Sequence, residues 1–177
     1  MKISHLKDQL EISSSINNKK ALAEAYINKG EFDKAIQLYE SCLEGLHKND
    51  PHIIEGLCCA YFFKSDLEAA KTNLLRLREI RKNENGNNDI SDEFDLLLAR
   101  TYEEQGDIDK ALKEYTYLLK RFSGEEARCR YALFLKKYGK TDEAKKIFRE
   151  ILKNARLSPK YYRRRQKKWI SIARMEK

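Results

Sequence analysis

Proline is almost missing from this 177-residue chain, which has two, and glycine is scarce at seven. So little turn chemistry does not suit the many tight reversals of an all-β fold. Cysteine is confined to Cys42, Cys58, Cys59 and Cys129, with no CxxC pair. Adjacent Cys58 and Cys59 do not easily share one bridge framework, so reduced thiols are the simplest reading. No run approaches the ~20 apolar residues that a membrane-spanning helix needs. Residues 1–15 carry Lys2, Lys7, Asp8 and Glu11 and lack the apolar stretch of a signal peptide. A cytoplasmic protein without a transmembrane segment is therefore expected.

Catalytic signatures are equally thin. There is no glycine-rich phosphate loop, no G-x-S-x-G and no H-E-x-x-H. The three histidines are His5, His47 and His52. Cys42-x4-His47-x4-His52 could in principle collect three zinc ligands. Ordinary surface histidines around a helix connection give the same spacing, so no metal or cofactor is assigned. The acidic pairs Glu103-Glu104 and Glu125-Glu126 read as solvated helix faces. The expectation is a non-enzymatic protein.

What the chain does have is 36% charged and 41% hydrophobic residues, with ten tyrosines and seven phenylalanines. That composition suits a strongly helical protein able to bury a core without staples. The formal net charge is +8, unevenly placed. Residues 1–49 are neutral overall, 50–91 carry −1 and 92–124 carry −3. Residues 125–177 hold 18 Lys/Arg against 6 Asp/Glu, a net +12. Such asymmetry points to an anionic partner or to self-association between acidic and basic ends.

Self-similarity organises the sequence. One segment reads Leu22-Ala23-x-x-Tyr26, Gly30-x-Phe32, Ala35-x-x-x-Tyr39. Others read Leu57-Cys58-x-x-Tyr61, Ser65-x-Leu67, Ala70-x-x-x-Leu74 and Leu98-Ala99-x-x-Tyr102, Gly106-x-Ile108, Ala111-x-x-x-Tyr115. The last is Tyr131-Ala132-x-x-Leu135, Gly139-x-Thr141, Ala144-x-x-x-Phe148. Ala23, Cys58, Ala99 and Ala132 lie 35, 41 and 33 positions apart. Small residues there let paired helices approach closely, and the aromatics fill the space around them. Cys42 and Cys58 fall at such small-residue positions.

This pattern resembles the tetratricopeptide repeat, a unit of about 34 residues built on W-x2-L-G-x2-Y and A-x3-F. The resemblance implies an all-α fold, a right-handed α-α superhelix of helix hairpins. Four repeats are expected at 16–49, 51–84, 92–125 and 125–158, so that the array spans 16–158. A tail or short helix over 1–15 precedes them, and a basic amphipathic capping helix over 159–177 follows. The departures are Ser65 in place of a turn glycine, closing prolines only at Pro51 and Pro159, and an inserted polar loop over 82–88. Ser91 is the expected N-cap after that loop, and Ser158 with Pro159 at the first helical position should start the cap. Arg130-Tyr131-Ala132 and the S-P-x-x-Y-R…W-x-x-x-A ending also resemble a family of uncharacterised bacterial repeat proteins, which implies no activity.

The tetratricopeptide resemblance implies protein binding in a concave groove lined by the first helix of each pair. In this register the groove would use Lys20, Glu24, Ile27 and Asn28, then Glu55, Cys59, Phe62 and Phe63. Leu96, Arg100 and Glu103 would follow, and Leu133, Lys136 and Lys137 would end it. Of Phe62 and Phe63, at least one should enter the groove as an anchor. The register does not supply the cationic clamp with which chaperone-binding members hold a terminal carboxylate: one set gives Lys20, Glu24, Gly56, Glu93 and Leu97. The expected partner is another protein, presenting a peptide or helix. The alternative rests on Lys160, Arg163, Arg164, Lys167, Lys168 and Arg174, a basic patch able to meet nucleic acid or an anionic membrane surface.

Overall fold

A computed structural model describes residues 3–85 and 91–177. All regular elements among the described residues are helical. None of these helices is long and apolar enough to cross a membrane. The chain forms two compact units, Met1–Gln105 and Gly106–Lys177, with the boundary in the turn of the third expected repeat.

The first unit comprises α1 (Ile3–Ile12), α2 (Ile16–Lys29), α3 (Phe32–Glu40), α4 (Pro51–Lys64), α5 (Leu67–Asn85) and α6 (Asp92–Glu104). A short 3₁₀ turn at Gly45–His47 joins α3 to α4. Local chemistry sets the ends. The Ser15 hydroxyl accepts the Asn18 N–H at 3.2 Å and caps α2. Asp50 accepts the His52 N–H at 2.9 Å, and Pro51 opens α4 where its missing N–H costs nothing. Gly30 ends α2 at φ 82°, the left-handed turn that reverses the chain into α3. Ser65 makes the same reversal between α4 and α5 at φ 67°. The core joins Leu22, Ala23, Tyr26, Ala35, Tyr39, Ile53 and Leu57.

The second unit contains α7 (Ile108–Leu118), α8 (Glu126–Lys137), α9 (Thr141–Leu157), α10 (Lys160–Arg165) and α11 (Lys167–Glu176). Tyr115, Phe134, Phe148 and Ile151 fill its centre, with Tyr115 and Phe134 rings 5.3 Å apart. Across both units the small repeat positions Ala23, Ala35, Cys58, Ala70, Ala99, Ala111, Ala132 and Ala144 are at most 1% exposed. Those are the close helix contacts the repeat pattern implied.

Four local expectations are corrected. Residues 82–85 continue α5 as helix, and residues 86–88 of the expected loop lie outside the described residues. Ser91 is the N-cap of α6, as expected; its carbonyl accepts from Phe94 and Asp95, and its hydroxyl makes no capping bond among the described residues. The single cap over 159–177 is two helices that meet at Gln166. Pro159 is the N-cap residue of α10, and the Ser158 hydroxyl donates back to the Asn154 carbonyl at 2.8 Å, closing α9.

The fourth concerns Glu125, which is buried and not part of a solvated face. Its carboxylate accepts the Tyr162 hydroxyl at 3.1 Å and Arg128 at 3.3 Å. Its backbone N–H donates to Gln166 Oε1 at 3.1 Å. Gln166, where α10 and α11 meet, thus holds its amide at the start of α8. On α11, Ile170 and Ala173 are buried, while Trp169 and Ile172 are half-buried.

Candidate functional site

An open cleft of about 420 Å³ lies in the first unit, between α2 and α4. Lys20, Glu24, Ile27 and Asn28 line it from α2, at the spacing that puts them on one helix face. His52, Glu55, Gly56, Cys59 and Phe63 line it from α4, at similar spacing. Tyr39 of α3 forms the floor and Phe94 of α6 the far wall. Thus seven of the fourteen sequence-expected groove residues meet here.

The floor depends on one glycine. A Cβ on Gly56 would stand 2.2 Å from Cζ of Tyr39, so only glycine lets that ring lie beneath the cleft. Burial pushes the Tyr39 phenol well above its ordinary range. Phe63 is 50% exposed and stacks on Phe32 at 6.3 Å, which holds the ring at the cleft edge. Phe62 meets it edge-on at 5.7 Å but is 8% exposed. Phe62 therefore belongs to the core, with the Arg100 guanidinium 4.5 Å above its ring.

The rim is part fixed and part free. Glu55 is held by Arg81 at 3.2 Å and by His52 Nδ1 at 3.2 Å. Among the described residues, Lys20, Glu24 and Asn28 have no ion-pair or side-chain hydrogen-bond partner. They offer a cation, an anion and an amide to whatever enters. Burial and the nearby Glu55 carboxylate push the Cys59 thiol up to about 11. It is neutral near pH 7 and so no nucleophile. Among the described residues no three His, Cys, Asp or Glu side chains could hold a metal.

The other expected groove residues sit elsewhere. Leu96 is 4% exposed and packs in the core. Arg100 is engaged with Phe62, and Glu103 on the same helix does not line the cleft. In the second unit, Leu133 is half-buried, Lys136 pairs with Glu176, and Lys137 lies beside the Tyr138 ring. The register missed Phe94, Tyr39 and Gly56. Phe94 had a signal: it is an isolated aromatic among Asp92, Glu93 and Asp95.

A second cleft, also about 420 Å³, lies in the second unit between α9 and α11. Leu152, Ala155 and Ile170 give it an apolar floor. Arg156, Arg163, Lys167, Arg174 and Lys177 surround that floor, and among the described residues no carboxylate side chain lines it. Of the expected basic patch, Arg163, Lys167 and Arg174 are thus brought together here. Arg164 and Lys168 face a shallower groove shared with Arg165, Lys167 and Met175. Lys160 is exposed on α10 and lines neither.

Family models described as tetratricopeptide repeat match residues 20–53, 94–124 and 126–158. No curated protein sequence matches the chain. Solved structures do. A thermophilic TPR protein from Thermus thermophilus superposes with a TM-score of 0.69 at 18% identity, over 96% of this chain and 88% of that one. A Podosopora anserina putative kinesin light chain with nearly identical TPR-like repeats gives 0.68 at 18% identity, over 84% and 82%. YrrB, described as a TPR protein with an unusual peptide-binding site, gives 0.64 at 16% identity, over 86% and 75%. At these identities the likeness shows the fold, an all-α array of helix hairpins.

Proposed function

Because the chain belongs to the tetratricopeptide repeat family, whose models cover just over half of it, we propose that it is a non-enzymatic protein-interaction scaffold. Its ligand is a peptide or helical segment of another protein, held in the cleft between α2 and α4. The observation that carries this reading is the composition of that cleft. Ile27, Phe63 and Phe94 give an apolar wall, while Lys20, Glu24 and Asn28 stand free at the rim. Exposed aromatic anchors beside unengaged polar groups are the usual make-up of a protein-binding hot spot. The fitting segment presents one apolar or aromatic side chain to the wall and polar or charged neighbours to the rim. The peptide-binding site of YrrB supports the same use of this fold.

Selection of binders from a random peptide library on the intact protein tests the proposal. Selected peptides should share an apolar anchor. Phe63→Ala/Phe94→Ala should weaken them at least about tenfold, about 1.4 kcal/mol, while the thermal melt stays cooperative. Unchanged affinity in that variant would contradict binding here.

A further inference from the structure

We propose that the cleft between α9 and α11 is a second, independent docking site, and that its occupant is an acidic amphipathic segment of a partner protein. The charge argument comes first. Arg156, Arg163, Lys167 and Arg174 are all exposed and have no ion-pair partner among the described residues. By contrast, Lys136 on α8 reaches Glu176, and Arg130 reaches Glu126. Cations gathered around a concavity with no carboxylate side chain in its lining make a local positive field that favours an anionic ligand.

The floor then decides which anion. Leu152 and Ala155 come from α9 at i, i+3 spacing, and Ile170 from α11 lies between Lys167 and Arg174. A nucleic-acid backbone gains nothing from an aliphatic floor, and its bases gain affinity from aromatic stacking platforms. Tyr161 is exposed on α10 but does not line the cleft, and Trp169 and Tyr162 are already engaged. The Trp169 ring is covered by Arg130 at 4.8 Å and Lys168 at 4.6 Å. The Tyr162 hydroxyl is bonded to Glu125. An amphipathic segment matches both features, with aliphatic side chains on the floor and carboxylates on the rim. Arg163 and Arg174 can meet such carboxylates in paired, charge-assisted hydrogen bonds.

The test uses the intact protein and two synthetic peptides of equal charge. One carries leucines along one helical face with glutamates on the rest; in the other, serines replace the leucines. The leucine peptide should bind at least about tenfold more tightly than the serine peptide, with affinity that falls as salt rises. Arg163→Glu/Arg174→Glu should lose that binding by at least about tenfold, and Phe63→Ala/Phe94→Ala should keep it, which separates this site from the α2–α4 cleft. Equal binding of both peptides would overturn the reading of the floor, and that comparison needs no protein variant. Tighter binding of a single-stranded oligonucleotide or an anionic phospholipid vesicle would overturn the peptide occupant. A concentration-dependent dimer abolished by the charge reversal would overturn it too, and assign the site to a second copy of the chain.

Discussion

Ser65 occupies a conformation that L-residues with a Cβ adopt at a cost of about 1 kcal/mol. It is the one non-glycine residue at positive φ among those described, in the turn where Gly30 serves the preceding hairpin. Ser65→Gly should therefore stabilise the protein by about 1 kcal/mol and raise Tm by about 2–4 °C, read by thermal melt; a lower Tm would refute the strain. The position was legible in the sequence, because the repeat register calls for glycine there. Gly56 was not legible in the same way. It has no turn to make, and its need arises only when the Tyr39 ring arrives from another helix. The same limit separates Phe62 from Phe63: adjacent residues on α4 face opposite environments, and which one enters the cleft is decided by Phe32 and Arg100. Residue identity carried the small positions well, since close packing tolerates only a few side chains. It carried long-range aromatic contacts poorly.

At the scale of elements, hydrophobic periodicity and cap chemistry account for where helices lie. The Asp50-Pro51 start and the Gly30 stop both follow local rules. The end of the chain does not. Gln166 is an acceptable helix former, and nothing local interrupts the pattern from Lys160 onward. At the break the Gln166 amide oxygen accepts a backbone N–H far away in sequence, at Glu125. Gln166→Ala should leave that donor without its partner, cost about 1–2 kcal/mol and speed amide exchange at Glu125. Exchange that is unchanged would show the break to be incidental. The extension of α5 through residues 82–85 has a similar lesson. A polar, asparagine-rich stretch reads as loop, yet a helix already nucleated and packed through Leu74 and Leu77 propagates through it cheaply.

For the whole molecule, net charge misleads unless it is mapped. The +8 arises in the last third, and within that third several cations are neutralised locally by Glu125, Glu126 and Glu176. Of the cations left over, Arg156, Arg163, Lys167, Arg174 and Lys177 surround the α9–α11 cleft. The cleft of the first unit is different, with one cation, one anion and an amide free beside two phenylalanines. The two clefts are therefore of unlike chemistry, one walled by apolar side chains and the other ringed by cations. Of the groove expected along four repeats, seven residues from the first two line one cleft. In the third repeat a linear register does not hold for Leu96 and Arg100, which are spent on packing. The most direct measurement of the central claim is an amide chemical-shift map of the intact protein titrated with a library-selected peptide. Saturable shifts at Lys20, Asn28, Glu55, Cys59 and Phe63, diminished in Phe63→Ala/Phe94→Ala, are the predicted result. Shifts that spare these residues and appear only on other surfaces would contradict it.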